Sequence, residues 1–180
     1  MYPMLRFAGQ VWKFRNKPLP LDGQHISTHR CWPWDLDPWM ELNNGRTLTL
    51  YDLGRIPFFT RTGMHDTIKR LGWRVTVAGV SVRYRRRITA FEKVTISTRL
   101  AGWDDRFIYF DQSIWRQDGE CANQVLLRSA FVGPNGIASP AEFSKAHGWD
   151  GPVLDLPEWA RNWVDAESTR PWPPEKSPLD

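Results

Sequence analysis

The segment from 73 to 133 alternates apolar and polar side chains, and this pattern restricts the fold more than any other feature of the chain. A period of two residues places successive side chains on opposite faces of a β-strand. The alternation is clearest in EKVTISTRLAG at 92–102, RFIYFDQSIWRQ at 106–117 and ECANQVLLRSAFVG at 120–133. GWDD and Asp118-Gly119 separate these segments, and an Asp-Gly pair tolerates the positive φ angles of a tight hairpin. The pattern therefore predicts an antiparallel meander of three long strands.

One helix is predicted before the meander, over residues 47–59. Apolar and small residues recur there at helical spacing, at Leu50, Leu53, Gly54 and Pro57. Asn44 is expected to be the N-cap, because its side chain can accept a hydrogen bond from a free amide of the first turn. Pro57 is expected to end or kink the helix, because proline lacks an amide N–H and its ring collides with the preceding turn.

The remaining segments carry weaker signals. Residues 5–15 and 23–32 mix apolar, aromatic and β-branched residues and are expected to be strands. Residues 140–147 and 156–166 are expected to be short helices, and the proline-rich end at 168–180 is expected to be a tail or an arm across a neighbouring subunit. One helix among early strands and a meander predicts an α+β fold with the sheet wrapped around the helix.

The composition limits the compartment and the type of ligand. The 180 residues suffice for one domain, and the net charge of +4 is compatible with an acidic or phosphorylated ligand. Cys31 and Cys121 lie far apart and form neither a disulfide scaffold nor a metal-binding pattern, so we expect a reducing compartment and no metal. No window has the length and apolarity of a membrane span, and no secretory leader is recognisable. We therefore expect a cytoplasmic protein with no membrane partner.

The loop before the predicted helix combines a carboxylate with a helix start. Asp37-Pro38 precedes Asn43-Asn44 by a few residues. A carboxylate can act as a nucleophile or activate a water molecule. The amides of a first helical turn are unpaired and carry the positive end of the helix dipole, so they can hold a carbonyl oxygen that gains negative charge. Acyl transfer to water requires both of these elements.

The same residues resemble a known family. DLDPWMELNNGRTLTLYDLGR at 35–55 resembles the signature of hotdog-fold acyl-CoA thioesterases of the 4-hydroxybenzoyl-CoA thioesterase type. That signature is roughly D-x-D-x-x-G-H-x-N-N-A-x-Y-L, followed by an acidic residue on the helix and an arginine. The comparable positions here are Asp35, Asp37, Asn43, Asn44, Leu48, Asp52 and Arg55. RYRRRITAFEKVTISTRLAGWDDRFIYFDQSIW at 83–115 looks like the meander of the thioesterase-superfamily-member-6-like branch.

The resemblance implies a fold, an activity and partners. It implies one hotdog domain over 1–150, followed at 151–180 by a short helix and the proline-rich tail. It implies that Asp37 is the catalytic carboxylate and that the backbone N–H at or near Asn44 polarises the thioester carbonyl. It also implies an acyl-CoA substrate with no further cofactor, and a homodimer or a dimer of dimers, because hotdog sites usually form between two protomers.

The chain departs from the family pattern at one point in the loop. Most relatives have Gly-His where this chain has Met40-Glu41. Either Glu41 replaces that histidine in orienting the substrate or moving a proton, or the reaction proceeds without such a residue. A second carboxylate beside Asp37 is compatible with assistance to a general base and also with a branch whose activity has weakened.

Each candidate residue also has a structural alternative. Asp37 suits an Asx-turn before proline, and Asn43 and Asn44 suit capping and fixing of the loop. Asp52 either faces the site as a substrate contact or pairs with Arg55 at i+3. Trp39 either walls an acyl pocket or anchors the loop in the core.

Three arginines alternate along the predicted strand near residue 84. Arg83, Arg85 and Arg87 are therefore expected to form one stripe, which is either a solvated face or a clamp for the phosphates of coenzyme A. A nucleic-acid partner is not expected, because no recognised module is present and the basic excess is small.

The leading hypothesis is an acyl-CoA thioesterase. The alternative is a non-catalytic hotdog module that binds acyl-CoA or a protein partner, and Met40-Glu41 is its main support. A hotdog dehydratase or hydratase would need a positioned histidine, and none lies in the loop. The histidines are scattered without ligand spacing and are expected to be surface or core residues: His25, His29, His65 and His147.

Overall fold

The computed structural model describes residues 2–152 and 154–176, which form a six-stranded antiparallel sheet and five helices. The strands are β1 (Gln24–Arg30), β2 (Arg74–Tyr84), β3 (Lys93–Trp103), β4 (Ile108–Arg116), β5 (Cys121–Gly133) and β6 (Gly136–Ala138). The helices are α1 (Met4–Phe14), α2 (Asn44–Arg61), α3 (Met64–Arg70), α4 (Pro140–His147) and α5 (Glu158–Ser168). The last part of the predicted tail, 177–180, lies outside the described residues.

The predicted meander is confirmed. β3, β4 and β5 are consecutive antiparallel neighbours in the strand order β1-β3-β4-β5-β2, and β6 pairs with β5. The hairpin between β4 and β5 turns at Gly119, whose φ is +86°, and the side chain of Asp118 accepts the N–H of Glu120 at 3.0 Å. Local turn chemistry therefore sets the register of the two central strands.

The sheet wraps around α2, as the α+β prediction requires. The buried side of α2 includes Leu50, Tyr51, Leu53 and Phe58, all fully buried. A Cβ added at Gly54 would lie 2.7 Å from Oγ1 of Thr98 on β3. Only glycine therefore allows α2 to approach the sheet this closely.

The bounds of α2 differ from the prediction at both ends. Asn43, not Asn44, is the N-cap, because its side chain accepts the N–H of Arg46 at 3.0 Å. Pro57 does not end the helix, which continues to Arg61. The ring of Pro57 is buried beside Phe58, and burial of this apolar surface offsets the one hydrogen bond that proline cannot donate.

The prediction of a strand at residues 5–15 was wrong, because Met4–Phe14 forms α1. Phe7, Val11 and Phe14 recur at helical spacing, and this side of α1 lies over α2. The ring of Phe14 packs edge-on against His25 of β1, with 4.6 Å between the ring centroids. A short apolar segment fits either period, and packing on α2 selects the helix.

The two short C-terminal helices are confirmed as α4 and α5. Ala160 and Trp163 of α5 pack with Tyr109 and Leu126. These two strand residues alternate with core residues such as Phe110, so α5 covers the face of the sheet opposite to α2.

Candidate active site

The loop before α2 is a tight turn centred on Asp37. The Asp37 N–H donates to the Glu41 carbonyl at 2.9 Å, and the Met40 N–H donates to the Asp37 carbonyl at 3.0 Å. Met40 has a φ of +59°, a left-handed conformation that glycine adopts freely and other residues adopt at a cost of about 1–2 kcal/mol. This geometry explains why the family pattern has glycine at the position of Met40.

Asp37 forms the predicted Asx-turn with one of its two carboxylate oxygens. Oδ1 accepts the N–H of Trp39 at 2.9 Å. Within residues 2–152 and 154–176, Oδ2 has no hydrogen-bond donor. The structural role and a chemical role of Asp37 are therefore compatible, since they use different oxygens.

The start of α2 presents two amides that have no acceptor in the described part of the chain, those of Asn44 and Gly45. The next two N–H groups, of Arg46 and Thr47, are taken by the side chain and the carbonyl of Asn43 at 3.0 and 2.9 Å. The free amides add to the positive end of the dipole of an 18-residue helix. This helix end can therefore stabilise negative charge on a ligand oxygen.

Asp37 and the start of α2 border the same cavity, which has a volume of about 340 Å³ and is called the Asp37 cavity below. The loop and helix contribute Asp37, Glu41 and Asn44, and the sheet side contributes Arg85, Arg87 and Asn123. The fold therefore brings a carboxylate, the free amide of Asn44 and arginines together, from segments far apart in the sequence.

The arginine stripe was predicted incorrectly. β2 ends at Tyr84, so Arg85 and Arg87 do not continue a strand that begins with Arg83. The N–H groups of Arg85 and of the next residue both donate to the carbonyl of Ala122, at 2.8 and 3.0 Å, which turns the chain away from strand geometry. Arg83 stays on exposed β2, whereas Arg85 and Arg87 border the Asp37 cavity.

Three consecutive arginines, Arg85 to Arg87, border the Asp37 cavity and differ in their ion pairs. Nε of Arg87 pairs with Oε2 of Glu41 at 2.8 Å, and Arg86 pairs with both carboxylate oxygens of Glu120 at 2.9 Å. Arg85 makes no ion pair with any residue that the structure describes. Its exposed guanidinium is therefore the cationic group most available to a ligand in this cavity.

The first aspartate of the D-x-D pair is structural. Asp35 is fully buried and accepts hydrogen bonds from Arg6 at 2.8 Å, Arg46 at 2.7 Å and the Trp32 N–H at 3.0 Å. Burial alone would raise the pKa of the carboxyl group, but the hydrogen bonds from Arg46, Trp32 and Arg6 outweigh it and lower the pKa. Asp35 thus joins α1, the loop and α2.

A larger groove of about 860 Å³ lies between the start of α1 and the stacked rings of Trp32 and Trp34. Asp35 and Arg46 border this groove, but their charged groups already pair with each other. The smaller Asp37 cavity is bordered by a carboxylate with one oxygen that lacks a donor and by Asn44 with its free amide, so we consider it the candidate active site.

Asp52 does not border the Asp37 cavity, and a substrate contact by this residue stays a prediction. It forms the predicted ion pair with Arg55 and accepts a hydrogen bond from the hydroxyl of Tyr2 at 3.1 Å. One residue corresponds to about 100° around a helix. Asp52 therefore lies on a different side of α2 from Tyr51, which faces the sheet beside the cavity.

Trp39 borders the Asp37 cavity and is 73% exposed. The alternative that it anchors the loop in the core was therefore wrong. The other alternative, that Trp39 forms a wall of an acyl pocket, remains a prediction.

Two polar contacts at the site were missed from the sequence. The hydroxyl of Tyr84 donates to the Asn44 carbonyl at 3.2 Å, and the hydroxyl of Tyr51 donates to Oδ1 of Asn123 at 2.5 Å. The strand pattern contained a signal for Asn123, because it takes the inward position two residues before buried Val125.

The cysteines and two of the histidines are core groups rather than reactive ones. Burial raises the pKa of the Cys31 thiol to about 11 and also raises that of Cys121, so both thiols stay protonated near neutral pH. Burial and nearby cations lower the pKa of His25 to about 4 and that of His29 to about 3. Both histidines lie on β1 and are buried, as expected for core residues.

None of the helices within the described ranges is both long enough and apolar enough to cross a bilayer. The cytoplasmic location and the absence of a nucleic-acid partner stay predictions.

A family model described as the thioesterase-like superfamily matches residues 31–164. The chain belongs to the thioesterase-like superfamily. The matched segment includes the Asp37 loop, α2 and the whole meander.

Curated relatives place this thioesterase-like chain close to one group within the superfamily. Protein THEM6 of Xenopus laevis is 33% identical over 130 residues, which are 71% of this chain and 63% of that protein. Protein THEM6 of Drosophila melanogaster is 32% identical over 163 residues, 89% of this chain and 80% of that protein. The chain thus spans less than two thirds of the Xenopus relative.

Solved structures of low sequence identity share the hotdog fold of this thioesterase-like chain. A probable thioesterase from Escherichia coli, YbaW, has a TM-score of 0.64 and 15% identity and covers 68% of this chain and 95% of its own. Slr0204, a 1,4-dihydroxy-2-naphthoyl-CoA thioesterase from Synechocystis, has a TM-score of 0.60 and 9% identity. The match covers 72% of this chain and 100% of Slr0204. SAV2348 from Staphylococcus aureus, in complex with CoA, has a TM-score of 0.59 and 11% identity. The match covers 78% of this chain and 93% of SAV2348. The predicted α+β hotdog fold is confirmed.

Proposed function

We propose that the chain is an acyl-CoA thioesterase that acts in the Asp37 cavity. The observation that carries this proposal is that Asp37 and Asn44, whose backbone amide is free at the start of α2, border one cavity. Hydrolysis of a thioester requires a group that delivers the nucleophile and donors that stabilise the oxyanion. Membership of the thioesterase-like superfamily supports the same reaction class.

In the proposed reaction, Asp37 takes a proton from water as the water oxygen attacks the thioester carbonyl carbon. The electron pair of the C=O bond moves to oxygen, which the N–H group of Asn44 holds at the positive end of the α2 dipole. When this pair returns, the C–S bond breaks, and the thiolate of coenzyme A leaves and takes up the proton. In the covalent variant, Asp37 attacks the carbonyl itself, and water then hydrolyses the resulting anhydride.

The remaining candidate residues bind the substrate in this proposal. Arg85 and Arg87 contact the phosphates of coenzyme A, since guanidinium groups suit phosphate by charge and forked geometry. Trp39 lies beside the acyl group, and Asn43 fixes the helix start through its cap. Two fold neighbours described as a naphthoyl-CoA thioesterase and as a complex with CoA support this ligand class.

We also propose a homodimer, which can pair further into a tetramer. β2 is an edge strand of 11 residues that pairs with β5 on one side, and it exposes Val77 and Val80. An edge strand of this length with exposed valines is well suited to pair with another strand. Light scattering after gel filtration gives the mass: two or four chains support the proposal, and one chain contradicts it.

A second candidate function is a non-catalytic module that binds acyl-CoA or a protein. The ion pair between Glu41 and Arg87 favours it, because the residue in place of the family histidine is engaged with an arginine. This candidate predicts tight binding of acyl-CoA without release of thiol.

The proposed function is tested with a panel of short, long and aromatic acyl-CoA thioesters and a thiol-release assay. Wild type should hydrolyse part of the panel, and Asp37→Asn and Asp37→Ala should lose about 100-fold or more in kcat. Asp66→Asn, which changes an exposed carboxylate on α3, is the matched control and should keep wild-type turnover. Unchanged turnover in both Asp37 variants would remove Asp37 from its role.

A further inference from the structure

Asn123 lies beneath the start of α2 and borders the Asp37 cavity. It occupies an inward position on β5 and is only 3% exposed. Its cross-strand neighbour is Tyr84, whose hydroxyl bonds the carbonyl of Asn44 at 3.2 Å. The polar side chain is therefore held close to the amides at the helix start.

The amide nitrogen of Asn123 reaches the cavity rather than another protein group. Oδ1 of Asn123 accepts the Tyr51 hydroxyl, which leaves Nδ2 as a donor without an acceptor among the residues that the structure describes. Four buried side-chain atoms in those residues lack a partner: Gln10 Oε1, His25 Nε2, Arg128 Nε and Ser129 Oγ. Nδ2 of Asn123 is not one of them, so it contacts open space, and the space next to this side chain is the Asp37 cavity.

Tyr51 determines which end of the amide faces the cavity. Tyr51 is fully buried on α2, and burial raises the pKa of its phenol well above 10, so the hydroxyl stays protonated and donates. It lies 2.5 Å from Oδ1 and 3.1 Å from the backbone carbonyl of Asn123. Because the oxygen of the amide faces Tyr51, the NH2 group faces the cavity.

We propose that Asn123 donates a hydrogen bond from its side-chain amide to the thioester carbonyl oxygen, and that Tyr51 is the positioning residue for this donor. The inference rests on the proposed thioesterase function and adds a side-chain donor to the backbone amide of Asn44. A preorganised donor of this type stabilises the oxyanion more than the ground-state carbonyl. A neutral donor also leaves the charge of Asp37 unopposed.

The test combines turnover with binding of two inert ligands, the 2-oxoalkyl thioether of coenzyme A, which keeps a carbonyl, and the alkyl thioether, which lacks one. Asn123→Ala should lower kcat/KM by about 100-fold, the usual effect of removing one oxyanion donor. It should weaken binding of the oxoalkyl ligand about 10-fold and leave binding of the alkyl ligand unchanged. Tyr51→Phe should lower kcat/KM by a smaller factor, because the amide keeps its donor but loses its fixed orientation.

Two further variants separate a donor from a merely structural asparagine. Asn123→Asp keeps the acceptor for Tyr51 but lacks the N–H group, so it should be as impaired as Asn123→Ala. Gln124→Ala removes a neighbouring carboxamide that bonds Asp111 on the other face of the sheet, and it should behave as wild type. Binding of the alkyl ligand shows that each variant is folded.

The outcomes distinguish this inference from the proposed function. If wild type hydrolyses thioesters but the Asn123 variants match it in kcat/KM and in both binding constants, the role of Asn123 is refuted and the proposed function stands. If wild type neither hydrolyses the panel nor binds either ligand, both proposals fail together.

Discussion

Nε of Arg87 lies 2.8 Å from Oε2 of Glu41, although the two residues are 46 positions apart in the chain. Both border the Asp37 cavity. The unusual glutamate of the loop is therefore held by an arginine at the cavity.

Glu41→Gln should release Arg87 for a phosphate ligand. Arg87 is 70% exposed, and an exposed ion pair is worth about 0.2–1 kcal/mol, so we expect coenzyme A to bind about 1.5- to 5-fold more tightly. Isothermal titration calorimetry at low salt measures this change, and Arg87→Gln is the complementary variant with weaker binding. A large loss of kcat in Glu41→Gln with unchanged affinity would instead assign Glu41 to the chemistry.

Arg85→Gln should weaken binding of coenzyme A about 10- to 150-fold, because a charge-assisted hydrogen bond to phosphate is worth about 1.5–3 kcal/mol. Arg83→Gln is the matched control, since Arg83 is exposed on β2 and does not border the cavity. Pantetheine lacks the nucleotide phosphates and should bind both variants as it binds wild type. Equal losses in the two variants would indicate a general effect of surface charge.

Gly54→Ala should destabilise the fold by about 1–3 kcal/mol, the usual cost of overpacking. The new methyl group would lie 2.7 Å from Thr98 Oγ1 and 3.0 Å from Ile96 Cγ2, between α2 and β3. Gly9→Ala on α1 meets no atom within 4 Å and should stabilise the protein by about 0.5–1 kcal/mol through helix propensity. Urea unfolding of both variants measures these changes. Equal unfolding midpoints for Gly54→Ala and Gly9→Ala would contradict the close approach of α2 to β3.

The stability of the fold should fall as the pH is lowered from about 6.5 toward about 4 because of His25. The imidazole is buried and accepts a hydrogen bond from Arg61 at 2.8 Å, so it is neutral in the folded state. In the unfolded chain, His25 binds a proton more readily because its pKa is near 6.5. The contribution of neutral His25 to the free energy of unfolding is therefore complete above pH 6.5 and is lost as the pH approaches 4.

His25→Gln keeps an acceptor for Arg61 and should show a smaller decrease of the free energy of unfolding over this range. Denaturant unfolding at pH 8, 6, 5 and 4.5 measures the slope of the free energy of unfolding against pH. A variant as stable as wild type at pH 8 with an identical slope would show that His25 is not the titrating group. His29, with a pKa of about 3, should account for part of the residual slope.

Most of the sheet was predictable because its signals are local. β3, β4 and β5 follow the two-residue period, and the Asp118-Gly119 turn fixes where one hairpin reverses. The cap of α2 was misplaced by one residue, because Asn43 and Asn44 have the same side chain. The bond from the Asn43 N–H to the Asp35 carbonyl, at 3.0 Å, keeps Asn43 outside the helix.

The candidate site was predicted in part. Asp37 and Asn44 were identified from the loop and the family pattern, and the structure places both at one cavity. The role of Asp35 was missed, because its partner Arg6 lies on α1, a segment that was interpreted as a strand. Asp52 does not border this cavity and bonds Tyr2, so its predicted contact with the substrate stays a prediction.

The sequence by itself determined the strands of the meander, the central helix and the loop that holds Asp37, because periodicity and turn chemistry act over a few neighbouring residues. The tertiary structure alone decided the contacts of Arg87 with Glu41 and of Tyr51 with Asn123, which join residues 46 and 72 positions apart. An arginine or asparagine is equally suited to solvent or to a buried partner. The packing of α2 against the curved sheet determines which of these environments each residue meets.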